Sequence, residues 1–201
     1  GLYFRGKLTY AQCFGEGLVI TPTRGLQDPE LPFSLAMLRE FAGGDVSIDN
    51  AAYRSALERD AAALASRIGK RAQVVLLGSV ASGKYVDVLL PILGHRLRYP
   101  SSFIGRGDMS RGGLLLRSAA SGVELEYQTL EAGVRPRGPR PPKLEPLVSL
   151  GNEVVVDPLR ARGILEPALG ATAGAAGAKG LGPVVDLRLR PRPRVHRSRQ
   201  P

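Results

Sequence analysis

Apolar and polar positions change rhythm several times along this chain, and each change marks an element. The stretch RGKLTY (5–10) reads as a possible strand, with Arg5 and Lys7 on one solvated side and Tyr10 nearby. In GLVITPTRG (17–25), Val19 and Ile20 make a short buried strand that Thr-Pro-Thr-Arg-Gly ends in a turn. In SLAMLREFAGG (34–44), Leu35, Leu38 and Phe41 recur at helical spacing, Ser34 is placed to cap, and Gly43-Gly44 stop the element. The clearest helix is NAAYRSALERDAAALASRIG (50–69). There Tyr53, Leu57, Ala61, Leu64 and Ile68 form one stripe, Asn50 is the cap, and Gly69 closes the element.

The period then shifts. AQVVLLG (72–78) is an unbroken apolar run of strand length, as expected for a strand covered on both faces. KYVDVLLPILG (84–94) has a helical pattern, but Pro91 removes a hydrogen bond inside it, which predicts a kink or two short pieces. HRLRY (95–99) reads as the next strand, ended by Pro100, and GRGDMSRGG (105–113) as a polar loop. In LLLRSAASGVELEYQTL (114–130), Val123, Leu125, Tyr127 and Thr129 alternate with Glu124, Glu126 and Gln128, the pattern of a half-exposed strand. Its first half reads preferentially as the hairpin partner around Ala120-Ser121-Gly122. The alternative is a helix capped by Ser110 and ended by Gly122.

Together these elements predict one layered α/β domain over 1–132, with a mostly parallel, Rossmann-like sheet flanked by helices. GVRPRGPRPPKLEP (133–146) is rich in proline and arginine and reads as an extended linker, or a strap over the domain, ending near 147. Residues 148–201 are biased toward Ala, Gly, Arg and Pro. They are expected to form a largely disordered basic tail, with LVSLGNEVVVDPL (147–159) as the one segment able to form a strand or hairpin.

Composition changes this picture in three ways. The formal net charge is +10, but residues 1–130 carry only +3 of it and the last third +7. The basic character is therefore mostly a property of the tail, where RLRPRPRVHRSRQP (188–201) holds six arginines and no acid. Second, a single cysteine, Cys13, makes no internal disulfide, and with only His95 and His196 beside it there is no four-ligand zinc set. Third, no apolar stretch approaches the roughly 20 residues that span a bilayer, and no signal peptide is visible. These features point to a cytoplasmic protein without a membrane partner. The chain opens on Gly1, which reads as a fragment or a processed product.

Two stretches carry candidate chemistry. GSVASGKY (78–85) follows the apolar run with the spacing of a phosphate-cradling loop. Glycines let N–H groups turn inward, a helix start favours an anion, and Lys84 reaches phosphate oxygens. Tyr85, however, stands where a magnesium-binding Ser or Thr belongs, and the only downstream candidate for an apolar run ending in Asp, VVVD at Asp157, lies beyond the linker. The expected role is an anion site without NTP hydrolysis, or a plain strand-to-helix turn with Ser82 as its cap. GRGDMSRGG packs Arg106, Asp108, Ser110 and Arg111 between glycines; two guanidinium groups clamp a phosphate or carboxylate, and Asp108 orients them or accepts a proton. The bland alternative is a surface turn in which Asp108 pairs with Arg106.

VVLLGSVASGKYVDVLLPILG, GRGDMSRGGLLLR and PRPPKLEP together resemble a group of uncharacterised bacterial α/β proteins. These share a Gly-Ser-x-Ala-x-x-Lys-Tyr turn and the Gly-Arg-Gly-Asp-Met-Ser-Arg-Gly-Gly loop, over residues 5–147 of this chain. The resemblance implies that Lys84-Tyr85 is the group's own pattern, and it lends no activity.

The leading functional expectation is binding of a small anionic ligand, phosphorylated or nucleotide-like. Ser79, Ser82, Gly83, Lys84, Arg106, Ser110 and Arg111 would hold it, with Asp108 as the candidate catalytic group and no metal or cofactor specified. The alternatives are a nucleic-acid-associated protein binding non-specifically through its arginine-rich tail, and a fragment of a larger enzyme.

Overall fold

The computed structural model describes residues 1–144 and the backbone of residues 184–190. In chain order the helices are α1 (Leu2–Phe14), α2 (Leu35–Gly43), α3 (Ala51–Arg67), α4 (Gly83–Leu93) and α5 (Asp108–Ser121). The strands are β1 (Glu16–Thr21), β2 (Gly25–Gln27), β3 (Gln73–Leu76), β4 (Leu97–Pro100), β5 (Tyr127–Thr129) and β6 (Val184–Arg190).

β3 organises the molecule. Its side chains alternate between two faces, and both faces are dry. Val74 and Leu76 enter a cluster with Tyr53, Leu57, Leu64, Val86 and Leu89, so α3 and α4 cover that side. Val75 and Leu77 enter a second cluster with Tyr10, Ala11, Phe103 and Leu115, so α1 and α5 cover the other. The unbroken apolar run thus has the double burial expected of it.

The sheet order is β2-β1-β6-β3-β4-β5. It is mixed, which corrects the expectation of a mostly parallel sheet. Among the described strands only β3 and β4 pair in parallel, Val74 with Leu97 and Val75 with Arg98. β1–β2 and β4–β5 are antiparallel edge pairs, and β6 runs antiparallel between β1 and β3. β6 itself corrects the reading of 184–190 as tail. Within a basic neighbourhood, Val185, Leu187 and Leu189 alternate with Asp186, Arg188 and Arg190, the period of a strand. Because β1 and β3 each oppose β6, the strands β1, β3 and β4 share a direction, and their carboxyl ends share one edge. The segment 147–159, Asp157, His196 and the remainder of the tail lie outside the described residues.

The two expected central helices form. Asn50 Oδ1 accepts from Ala52 N at 3.1 Å to start α3, and Ser34 Oγ accepts from Met37 N at 3.2 Å to start α2. α4 is a single helix rather than two pieces, because Pro91 falls two residues before its end, where one lost hydrogen bond is tolerated. Two further expectations fail. RGKLTY belongs to α1, not a strand, and Lys7 is only 1% exposed, its Nζ 4.3 Å from the Tyr3 ring centre. Residues 108–121 form α5 rather than a loop and a hairpin arm. Gly112, Leu115, Ser118 and Ala119 are buried at helical spacing, and Gly122 ends the helix in the left-handed conformation (φ 67°).

Gly112, read as part of a loop, and Gly6, read within a strand, serve a helix contact. A Cβ on Gly6 would lie 2.7 Å from the Gly112 carbonyl oxygen, and one on Gly112 2.9 Å from Tyr3 Cα. The backbones of α1 and α5 therefore touch. Gly6→Ala should cost about 1–3 kcal/mol in denaturant unfolding, whereas Gly69→Ala, with open space at its Cβ, should stay within about 0.5 kcal/mol of the parent.

α2 is attached differently. Only Phe41 is buried; Leu35 and Leu38, expected on the same covered face, are 62% and 46% exposed. Polar bonds hold the helix instead: Arg24 donates to both Glu40 oxygens (2.9 and 2.6 Å), and Thr23 Oγ1 donates at 2.5 Å. The Arg24 and Thr23 hydrogen bonds hold the Glu40 carboxyl down at about 2, against an ordinary 4.5. A lowered folded-state value means this attachment is complete above about pH 4.5 and is lost as pH falls toward 2. Glu40→Gln should remove that part of the acid dependence, read from hydrogen exchange of α2 between pH 5 and 2.

Candidate functional site

β3 and β4 are neighbours, run the same way, and send their following helices to opposite faces of the sheet: α4 onto the α3 side and α5 onto the α1 side. Connections that diverge in this manner leave a crevice at the carboxyl ends, the position where open α/β sheets commonly bind ligands. The first candidate stretch is one of these connections; of the second, residues 105–107 belong to the other, while Asp108, Ser110 and Arg111 lie in the first turn of α5.

The turn 78–84 is held at both ends by tyrosines from the two helical layers. Tyr3 Oη donates to the Leu77 carbonyl at 2.6 Å, and Tyr53 Oη donates to the Lys84 carbonyl at 3.0 Å. Ser82 occupies the cap position of α4 with extended backbone (φ −105°, ψ 145°), yet its side chain makes no capping bond. Its Oγ is buried and has no partner. Ser79, Gly83 and Lys84 are half-buried, and the Lys84 ammonium lies 4.9 Å from the Tyr85 ring centre. Tyr85 itself is packed in the core, 5% exposed.

The second connection is tied largely to its own backbone. Arg106 Nε donates to the Ser102 carbonyl (3.1 Å), and Nη1 donates to Ser110 Oγ (3.1 Å) and the Pro142 carbonyl (3.3 Å). Arg111 Nε donates to the Phe103 carbonyl at 3.3 Å, with the guanidinium 5.4 Å from the Phe103 ring centre. Asp108 pairs with Arg111 at 3.8 Å rather than with Arg106, and its side chain is 73% exposed. The two arginines thus already hold the chain, and among the described residues no hydrogen bond or ion pair joins them to the 78–84 turn.

No family model matches this chain, nor does any curated protein or solved structure. Its own geometry is what bears on the site.

Three residues outside the sequence reading stand here. Ser102, in the 3-10 turn after β4, has a buried Oγ without a partner, the counterpart of Ser82 on the other connection. Asp87 and Arg135 form an ion pair that brings in the strap. From Arg135 on α4 the strap crosses to the α5 side: a Cβ on Gly138 would meet Ile104 Cγ2 at 2.7 Å, Gly105 abuts the Pro139 carbonyl, and Arg106 holds Pro142. Pro-Ser-Ser after β4 was the available local signal for Ser102; nothing local announces a pair 48 residues apart.

Gly105 has φ +71°, and a Cβ there would collide with Pro139. Gly105→Ala should lift the strap, seen as faster tryptic cleavage after Lys143, and lower stability by about 1–3 kcal/mol.

Proposed function

We propose that this protein binds a small phosphorylated or otherwise anionic ligand, nucleotide-like ligands included, in the crevice between the 78–84 turn and the 101–107 connection. The observation that carries this reading is the pair of buried, unpartnered hydroxyls, Ser82 Oγ and Ser102 Oγ, one on each connection. A buried hydroxyl without a partner costs about 1–3 kcal/mol, and a ligand with acceptor oxygens relieves that cost. The first turn of α4 adds free N–H groups and the positive end of a helix dipole. Ser79, Ser82, Ser102, the N–H groups of Gly83 and Lys84, and the Lys84 ammonium are the donors.

Arg106, Ser110 and Arg111 enter this reading as the groups that shape the second connection, and Asp108 as the group that orients Arg111. Tyr85, packed inside, places an aromatic ring where a magnesium–triphosphate loop has the short Ser or Thr hydroxyl. The reading is therefore anion holding, with no reaction assigned. Among the described residues no helix is long and apolar enough to cross a membrane.

The test is thermal denaturation of the full chain with sulfate, phosphate, AMP, ATP, GTP and sugar phosphates. At a ligand concentration of about 100 times Kd the expected gain is about 2.7 kcal/mol. Ser82→Ala, Ser102→Ala and Lys84→Ala should each shrink the shift. If no anion raises the melting temperature, or the three variants respond as the parent does, the reading is wrong.

A further inference from the structure

We propose that the first half of the strap is a gate over this crevice, with Arg135 as the ligand-facing cation and Asp87 as the internal anion that holds the gate shut when no ligand is present. The inference rests on the anion-binding reading above and adds a residue and a regulation to it.

The strap is attached unequally along its length. Its second half is fixed by close backbone packing: Gly138 against Ile104, the Pro139 carbonyl against Gly105, Arg106 on the Pro142 carbonyl, and Leu144 Cδ1 3.6 Å from the Cβ position of Gly113. Before that, Leu130 is buried in the core (3% exposed), and Gly133 turns the chain with φ +74°. Between these two anchors lies the flap, tied to α4 by the Arg135–Asp87 pair, with side chains 26% and 43% exposed. Ion pairs this exposed contribute little net stability and yield to competing charge.

The pair sits beside the first turn of α4. Gly83 makes room for it, since a Cβ there would collide with Asp87 Oδ2 and lie 3.9 Å from Arg135 Nη2. Glycine at this position thus lets a carboxylate and a guanidinium lie flat against the turn where the anion is proposed to bind. An incoming phosphate is repelled by Asp87 and attracted by Arg135. Binding therefore moves the guanidinium from the carboxylate to the ligand: the flap, closed on Asp87 before binding, opens to admit the anion and closes again on it. The flap's other cation, Arg137, follows Pro136 and precedes Gly138, a bond trypsin can recognise.

Trypsin reads the flap directly. Arg135 and Arg140 each precede proline and resist cleavage, so Arg137–Gly138 reports the flap and Lys143–Leu144 the fixed half. In the full chain, Asp87→Asn should speed cleavage after Arg137 by roughly fivefold, the equivalent of a surface ion pair, with Lys143 unchanged. Inorganic phosphate should restore protection in Asp87→Asn, while sodium chloride at equal ionic strength should not. Arg135→Gln should show the same fast cleavage with no rescue by phosphate. If Asp87→Asn cleaves as the parent does, the gate is refuted and the anion-binding reading stands. If phosphate stabilises the parent thermally but fails to protect Asp87→Asn, or protects Arg135→Gln equally well, Arg135 is not the ligand-facing cation. If phosphate neither stabilises the parent nor protects Asp87→Asn, both the anion-binding reading and the gate fall.

Discussion

The whole arrangement depends on burying β3 on both faces. Val74, Val75, Leu76 and Leu77 have no exposed surface, so a complete helical layer must lie on each side. On one side α3 and α4 meet through ordinary side-chain packing. On the other, α1 and α5 reach the strand with their backbones in contact at Gly6 and Gly112. That contact admits no side chain, and it explains why glycines interrupt two helices that would otherwise be more stable without them. Each layer then sends one tyrosine to an end of the turn that follows β3, Tyr3 to the Leu77 carbonyl and Tyr53 to the Lys84 carbonyl. The turn between those carbonyls is positioned by the same packing that excludes water from the strand.

Double coverage also decides where a crevice can exist. A helix after β3 on one face and a helix after β4 on the other make the two connections diverge at the shared edge, the arrangement in which open α/β sheets commonly form a ligand crevice. Polar groups at that edge then fall into two classes. Arg106 and Arg111 satisfy carbonyls of Ser102, Phe103 and Pro142 and so fix the local backbone. Ser82 and Ser102 are buried with nothing to satisfy them. The first class has a structural explanation within the chain and the second does not, which is why the proposed anion site is built on the hydroxyls rather than on the guanidinium groups.

How much of this was legible in the sequence follows the range of the interaction. Asn50 with its stripe of Tyr53, Leu57, Ala61 and Leu64 is a local pattern, and so is the apolar run of β3; both were readable as they stand. Gly112-Gly113 among charges looks like a loop until α1 is placed beside it, because the reason for the glycine lies over a hundred residues away. Lys7 looks solvated until the same packing closes over it. β6 carried a readable alternation, but its neighbourhood of arginine and proline masked it. The mixed sheet followed from that miss, since β6 is the strand that separates β1 from β3 with opposite polarity. At the site, the spacing of arginines announced cationic groups without announcing that nearby carbonyls would claim them.

The distribution of rigidity bears on function. The turn after β3 is bracketed by the half-buried Tyr3 and the buried Tyr53, whereas α2 and the first half of the strap are held to the domain mainly through polar pairs, Arg24–Glu40 and Arg135–Asp87. Exposed pairs of this kind are weak and salt-sensitive. Segments held in this way are the ones expected to open locally first, whereas the 78–84 turn is tied at both ends by tyrosine hydrogen bonds. A binding site benefits from that division: donors fixed before the ligand arrives lose little entropy on binding it, and a cover held by one exchangeable charge can admit the ligand without unpacking the core. The strap's glycine contacts at 105 and 138 pin its second half, so the proposed exchange would be confined to the side nearest α4, where Asp87 and the start of the helix lie together.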